Sequence, residues 1–432
     1  DPKDKGVVHI YVSGNRDARP DSELAGCKNG TDPADETNSL YRLDVIKVPL
    51  AHPEQAAVVT GARIFTGLEP AATSALRREQ QAARGRGGRG GRRGGAPTDT
   101  TLPPPPPTGP RNCHDVTAYP AMHLLAGACA SYGLLVDISN PEKPVRLDAR
   151  SDTNFSLWHT AVFSNDGSKV VFTDEWGGGT QPMCQKTSMM EMGGDAILTI
   201  DKERKYTQHS YFKIPSAQSA QENCVSHNGG LLPVPGRDIM VQGWYQGGVD
   251  LVDFTDPDHP FEVAYFDRGP VDPPPAPGDT TGASSRARGT IGGSWGAYYW
   301  NGYVYSSELA RGFDIYELLP SDKLSANELA AAKLVRMTEY NPQSQPRIVW
   351  PAAFPVVRSY LDQLGRNDGL SGARRTAISK ALDAAEKQSG AARGQALSAL
   401  AKQVDADVAR AKDAPRVRAM SAAIKALASA SK

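Results

Sequence analysis

Four stretches of the chain share one order of strand and turn signals, and that repetition constrains the fold more than any other feature. They are "CHDVTAYPAMHLLAGACASYGLLVDISNPEKPVRL" (113–147), "WHTAVFSNDGSKVVFTDEWGGG" (158–179), "SHNGGLLPVPGRDIMVQGWYQGGVDLVDFTDPDHPFEVAYF" (226–266) and "SWGAYYWNGYVYSSELARGFDIYEL" (294–318). Each opens with a short strand, reverses at Pro, Gly or Asn, and continues in a β-branched or aromatic strand. In three of them a Gly-containing step leads into a third strand: GLLVDI, GGVDLVDF and RGFDIYEL. In the second copy the third strand comes later, as DAILTID, after a loop holding Met183 to Met192. Two copies end in an Asp/Asn-Pro turn that feeds an outer strand. Strand–turn–strand units recurring every ~45 to 65 residues describe a β-propeller of four-stranded antiparallel blades. A β-sandwich, the competing all-β architecture, has no such phased repeat.

Residues 1–65 add a further blade that lacks its innermost strand: "VVHIYVSG" reads as a second strand and "LYRLDVIKVPLAHPEQAAVV" as the third and fourth. The expectation is a propeller truncated at its N-terminus over 1–345, with five blades visible and six or seven in the intact protein, and any export signal upstream. Two insertions interrupt it. Residues 83–112 contain "RGRGGRGGRRGG" and a proline run, and 270–289 are rich in Pro, Gly and Ser; neither composition can build a core. Residues 346–432 change character to Ala-rich segments with apolar residues three and four apart, a helical module.

The pair "GLLVDISNPEKPVRL" and "GGVDLVDFTDPDHPFEVAYF" resembles the LVIVD-repeat proteins of bacterial and archaeal surfaces and periplasms. The likeness spans about residues 1–345 and is weakest at DAILTID, where the Gly step and the Asp-Pro turn are missing. The resemblance implies a propeller, a surface or periplasmic location and no defined reaction. The helical part is similar to small modules appended to secreted bacterial proteins.

Aligning the repeats puts CHDV, WHTA, SHNG and SWGA in register, so His114, His159 and His227 share one position at the start of the innermost strand, with Trp295 fourth. In a propeller that position lines the central channel. The ends of the paired second strands carry Asp174-Glu175, Trp244 and Glu308. Neutral imidazoles with a carboxylate suit zinc or copper, which makes His114, His159, His227 and Glu175 the candidate metal ligands. Trp244, Trp295 and Glu308 are the candidate ligand-binding residues at the same mouth. Glu175 or Glu308 would act as ligand or general base, for a metal that activates water or a thiol-like substrate. The competing reading is a hydrogen-bonded histidine network that ties strands together, with neighbouring blades too far apart to share an ion.

Five cysteines form no CxxC motif. Cys113 and Cys129 flank a reversal, and Cys184 and Cys224 both border strands, so two disulfides are expected, with Cys27 unpaired; buried reduced thiols are the alternative. Disulfides imply export. Lys+Arg and Asp+Glu balance at 48 each, so no overall field favours nucleic acid, and the Arg-Gly tract reads better as a solvated loop than as an RNA-binding element. No apolar run approaches the ~20 residues that span a bilayer. The Met cluster reads as packing in preference to a soft-copper site. No nucleophile elbow, HExxH or phosphate loop is present. The function expected on these grounds is an exported, non-catalytic propeller that binds a protein or surface ligand; the alternative is a zinc- or copper-dependent hydrolase or oxidoreductase.

Overall fold

The structure, a computed structural model, describes residues 4–14, 28, 32, 35, 38–73, 109–271 and 291–431. Cys27, the Arg-Gly tract and residues 272–289 of the second insertion lie outside the described residues. Among the described residues five antiparallel sheets follow one another along the chain. The first holds β1 (Val7–Ser13), β2 (Leu43–Pro49) and β3 (Ala57–Ala62). The second holds β4 (Asp115–Tyr119), β5 (Leu124–Cys129), β6 (Tyr132–Asp137) and β7 (Val145–Ser151). The third holds β8 (Trp158–Phe163), β9 (Lys169–Asp174), β10 (Asp195–Ile200) and β11 (Tyr206–Phe212). The fourth holds β12 (Gly229–Leu232), β13 (Ile239–Gly243), β14 (Val249–Asp253) and β15 (Phe261–Phe266), and the last β16 (Ser294–Trp300), β17 (Tyr303–Glu308) and β18 (Gly312–Tyr316). Strand order equals chain order within each sheet, as in propeller blades, and β4, β8, β12 and β16 are successive neighbours at the inner side. The architecture is the mostly-β propeller read from the repeat, followed by helices.

The aromatic face of the third sheet, where Trp158 meets Phe172 edge-on at 4.9 Å and Phe155 at 4.9 Å and Tyr206 meets Phe172 edge-on at 5.8 Å, packs against Leu124, Ala126 and Leu135 of the second. The Gly step has a physical cause in this packing: a Cβ at Gly133 would lie 2.5 Å from the Trp158 ring and 2.8 Å from Phe172. At the same step in the fourth sheet, Gly248 takes a φ of 86°, open to glycine and strained for other residues. Both expected disulfides are made, Cys113–Cys129 and Cys184–Cys224.

Five helices follow: α1 (Ala326–Lys333), α2 (Phe354–Arg366), α3 (Gly372–Glu386), α4 (Gly390–Asp407) and α5 (Ala414–Ala430). The last four share a core built on Val357, Leu364, Ile378, Leu382, Leu397 and Ile424. The first packs instead with the fourth and fifth sheets, through Leu329 and Ala332. It was not expected from sequence; its start is a Ser325/Glu328 capping box. Between α1 and α2, Gln343 and Gln345 pair with Ala118 of β4, while the Gln345 amide accepts from Phe163 N at 3.0 Å and donates to Phe163 O at 2.8 Å.

Candidate metal centre

The three phased histidines are brought together. The His114 and His159 rings are 3.8 Å apart and the His159 and His227 rings 4.1 Å. Neighbouring innermost strands run close enough here that adjacent blades reach one point, so the wide-ring expectation does not hold for this channel. Glu175 follows the last residue of β9 and faces His159 and His227: its Oε2 lies 3.6 Å from His159 Nε2, and its Oε1 lies 3.6 Å from His227 Nε2. All three residues are buried. Among the described residues two sets of potential ligand atoms fall within 4.8 Å of one another, His159–Glu175–His227 and His114–Asp115–His159.

Hydrogen bonds on the far side of each ring set the tautomers. His227 Nδ1 meets the Trp295 carbonyl, which only accepts, so the proton sits on Nδ1. His227 Nε2 is buried with no hydrogen-bond partner. His159 Nδ1 lies 3.0 Å from Thr160 Oγ1, which is 2.6 Å from Asp115 Oδ2 and 2.6 Å from the Asn228 amide. The hydroxyl has one proton and the Asp115 carboxylate takes it. Thr160 Oγ1 then accepts from His159 Nδ1–H, leaving His159 Nε2 as a lone pair. Asn228 also reaches His227 Nδ1, 3.2 Å away. With Oδ1 on Thr160 and Nδ2 on His227 the amide sets a donor against the Nδ1 proton, so the reverse orientation, nitrogen on Thr160 and oxygen on the imidazole, is the one that satisfies both ends. Both Nε2 lone pairs therefore point to the Glu175 side, the arrangement that second-sphere bonds impose on metal-ligating histidines.

Burial keeps these rings neutral. It pushes His227 down to about 4, with the Trp295 carbonyl opposing in part, and holds His159 further below the ordinary imidazole range, reinforced by His227 and His114. Burial raises Glu175, and the Tyr245 hydroxyl, donating to Glu175 Oε1 at 2.5 Å, works against that rise. Burial raises Tyr245 itself, and Glu175 adds to the shift. His114 stands apart: its side chain is 44% exposed, and its hydrogen bond to Asp115 raises its pKa.

Trp295, 44% exposed, closes the other side, with its ring 4.8 Å from His227 and 5.8 Å from Tyr245. The structure does not bring Trp244 and Glu308 to this point. Trp244 is buried against Phe212 between sheets. Glu308 accepts from the backbone of Gly293 at 2.6 Å and Ala310 at 3.1 Å. Both occupy the position of Asp174, which likewise holds the backbone of Ser156, Leu157 and Gly193. Alternation along a strand end turns that position away from the histidines and the next one towards them. The residues equivalent to Glu175 are Tyr245 and Leu309. The bond of Tyr245 to Glu175 and the roles of Asp115, Thr160 and Asn228 depend on side chains meeting across blades, which the repeat alignment does not show.

The methionine loop forms an outer wall of the site. Met183 and Met192 pack with Trp176, Val225 and Tyr245, and buried Lys213 donates to the carbonyls of Met183, Met189 and Met192. Met189 and Met190 are exposed.

No protein-family model matches the chain, and no curated protein does. Among solved structures, a protein from Lactobacillus plantarum is similar at 12% identity and a TM-score of 0.34; the match covers 64% of each chain, so this chain spans less than two thirds of that protein. The β-propeller domain of Myceliophteria thermophila Cps50 (Swd1) is similar at 7% identity and a TM-score of 0.34, over 65% of this chain and 67% of that one. Dihydro-heme d1 dehydrogenase NirN is similar at 16% identity and a TM-score of 0.27, over 47% of this chain and 34% of that one. Likeness at this level says nothing about ligand or chemistry. The fold stands on the blades themselves, and the LVIVD resemblance stays one of repeat phrasing.

Proposed function

We propose that this protein is an exported β-propeller that holds one zinc or copper ion on His159 Nε2, His227 Nε2 and Glu175. The carrying observation is the pair of Nε2 lone pairs, each 3.6 Å from a different oxygen of one carboxylate. Ligands 2.0–2.1 Å from a tetrahedral ion lie about 3.4 Å from one another; each histidine–carboxylate pair stands close to that spacing, and one ligand atom from each of the three residues falls within 4.8 Å of the others. Three protein ligands would leave a further coordination position open; beside them the Tyr245 hydroxyl donates to Glu175, the His114 ring lies against His159 and the exposed Trp295 ring against His227. Two disulfides support export; among the described residues no helix is long and apolar enough to cross a membrane.

The test is elemental analysis of the full chain purified without chelator, beside a His159→Ala/His227→Ala variant. About one zinc or copper per chain, lost in the variant, is expected. A wild-type protein that takes up neither metal when offered, and a variant that only loses stability, would leave a histidine network inside a non-catalytic scaffold.

A further inference from the structure

A second group of reactive side chains lies on the outer strands of the third sheet, where they meet the turn before β15. Thr199 lies in β10, His209 in β11, and Asp258 in the Asp-Pro turn of the fourth sheet. Thr199 Oγ1 is 2.9 Å from His209 Nε2, and His209 Nδ1 is 2.8 Å from Asp258 Oδ1. The Asp258 carboxylate only accepts, so the proton sits on Nδ1 and Nε2 accepts from the Thr199 hydroxyl. Hydroxyl, imidazole and carboxylate thus stand in the order nucleophile, base and orienting acid.

The placement of each member has a local cause. Ile197 pairs with Ser210 and Leu198 with Gln208, so His209 is the extra residue of a β-bulge, a feature that re-aims side chains. The first, second and fourth sheets carry the same bulge, and there the extra residue is Val59, Leu147 or Val263. Of the four, the third alone puts an imidazole at this repeat position. Asp258 is fixed by its turn: its N–H donates to Asp256 Oδ1 at 3.0 Å, and Ser210 Oγ donates to the Pro257 carbonyl at 2.6 Å, docking the turn on β11. The equivalent turn residue of the second sheet, Glu142, bonds Lys47 at 2.8 Å. That contact can only tie blades together, because an ammonium has no lone pair to accept a hydroxyl proton. The tie at His209 continues to a hydroxyl, which fastening two blades does not require.

We propose that Thr199, His209 and Asp258 form an acyl-transfer site for small, neutral or cationic carboxylic esters. The side chains of His209 and Asp258 are 24% and 58% exposed, so an ester reaches them from solvent. Asp256 lies within electrostatic reach of the imidazole, and two carboxylates beside the site disfavour an anionic substrate. Thr199 Oγ1 attacks the ester carbonyl carbon as its proton passes to His209 Nε2, and Asp258 stabilises the imidazolium. Collapse breaks the bond to the alkoxide, which takes that proton and leaves as the alcohol. Water then attacks acyl-Thr199 by the same route, regenerating the hydroxyl and releasing the carboxylic acid. This site is independent of the histidine reading.

The test mixes the full chain with p-nitrophenyl acetate, follows p-nitrophenol release, and maps acetyl groups by peptide mass spectrometry after acid quench. Acetylation of Thr199 ahead of any lysine is expected. His209→Gln should slow it about a hundredfold and Asp258→Asn at least about tenfold, whereas Thr199→Ser retains it. His159→Ala/His227→Ala and added chelator should change nothing, which separates this site from metal-dependent hydrolysis. A wild-type protein with no acetyl group on Thr199, releasing p-nitrophenol no faster than Thr199→Val, overturns the proposal and leaves His209 as a tie between blades. Acetylation of Thr199 that a folded His209→Gln variant does not slow overturns it too. Should these variants not fold, the acid-quenched wild-type map decides: acetyl groups on lysines but not on Thr199 overturn the site.

Discussion

At the scale of single residues, the histidine centre depends on which nitrogen of each imidazole is free. His227 is the clearest case, because Trp295 holds its Nδ1 proton and leaves Nε2 bare. Its pKa is pushed down to about 4 from 6.5. Between those values the unfolded chain binds a proton that the folded chain refuses. Stability is therefore fully present above pH 6.5, falls as pH drops towards 4, and levels off below. The loss from this group is on the order of 3 kcal/mol. Chemical denaturation of metal-free protein from pH 7 to pH 4 should show the fall, and a His227→Gln variant should reduce it while the part due to His159 remains; a flat wild-type profile would contradict the burial of both rings as neutral imidazoles. Tyr245 acts one step further out, by donating to Glu175. Removing that bond with Tyr245→Phe is expected to weaken zinc binding by roughly 10- to 100-fold while the fold persists. Chelator competition measures it, and an unchanged affinity would take Tyr245 out of the site.

At the scale of elements, the disulfides are placed where they secure the ring-bearing segments. Cys113 directly precedes His114, and Cys224 stands three residues before His227. The second bridge spans 40 residues of chain and ties the methionine loop to the approach to β12. Replacing both Cys184 and Cys224 by Ser should cost about 2–5 kcal/mol. It should also lower metal affinity, since His227 then rests on a looser segment. Denaturant melts and metal titration of the double variant test both parts; full affinity with reduced stability would confine the bridge to a folding role. Strand ends matter as much as strands. Asp174, Trp244 and Glu308 tie or pack the blade ends, and the next residue along faces the channel. A reading by repeat alignment alone, one residue out at this point, places Trp244 and Glu308 in the mouth.

At the scale of the whole molecule, the helices are fastened to the blades by a buried charge network. Arg237, in the turn before β13, bonds Asp253 at 2.6 Å and Glu328 of α1 at 3.1 Å, and Arg366 of α2 reaches the same Glu328 at 2.6 Å. Gln363 of α2 adds a bond to the Pro235 carbonyl at 2.8 Å. Glu328→Ala strands Arg237 without one of its two anions in a dry interface. It should cost about 3–5 kcal/mol and separate helical from propeller melting in calorimetry. A single transition with unchanged midpoint would mean that the apolar contacts of Leu329 and Ala332 carry the docking.

The repeat phrasing by itself determined the blade order, the inner strands of each blade and the common position of His114, His159 and His227, and strand borders made the two cysteine pairings an expectation. These depend on local periodicity and turn chemistry, which a short window of residues contains. Only the tertiary structure decided that adjacent blades come close enough for the histidines to stack. It also turned Glu175 inward while Trp244 and Glu308 point elsewhere. Each of those outcomes depends on the distance and rotation between blades. Blade packing sets both, through contacts such as Gly133 and Leu134 of the second sheet against Trp158, Phe172 and Tyr206 of the third.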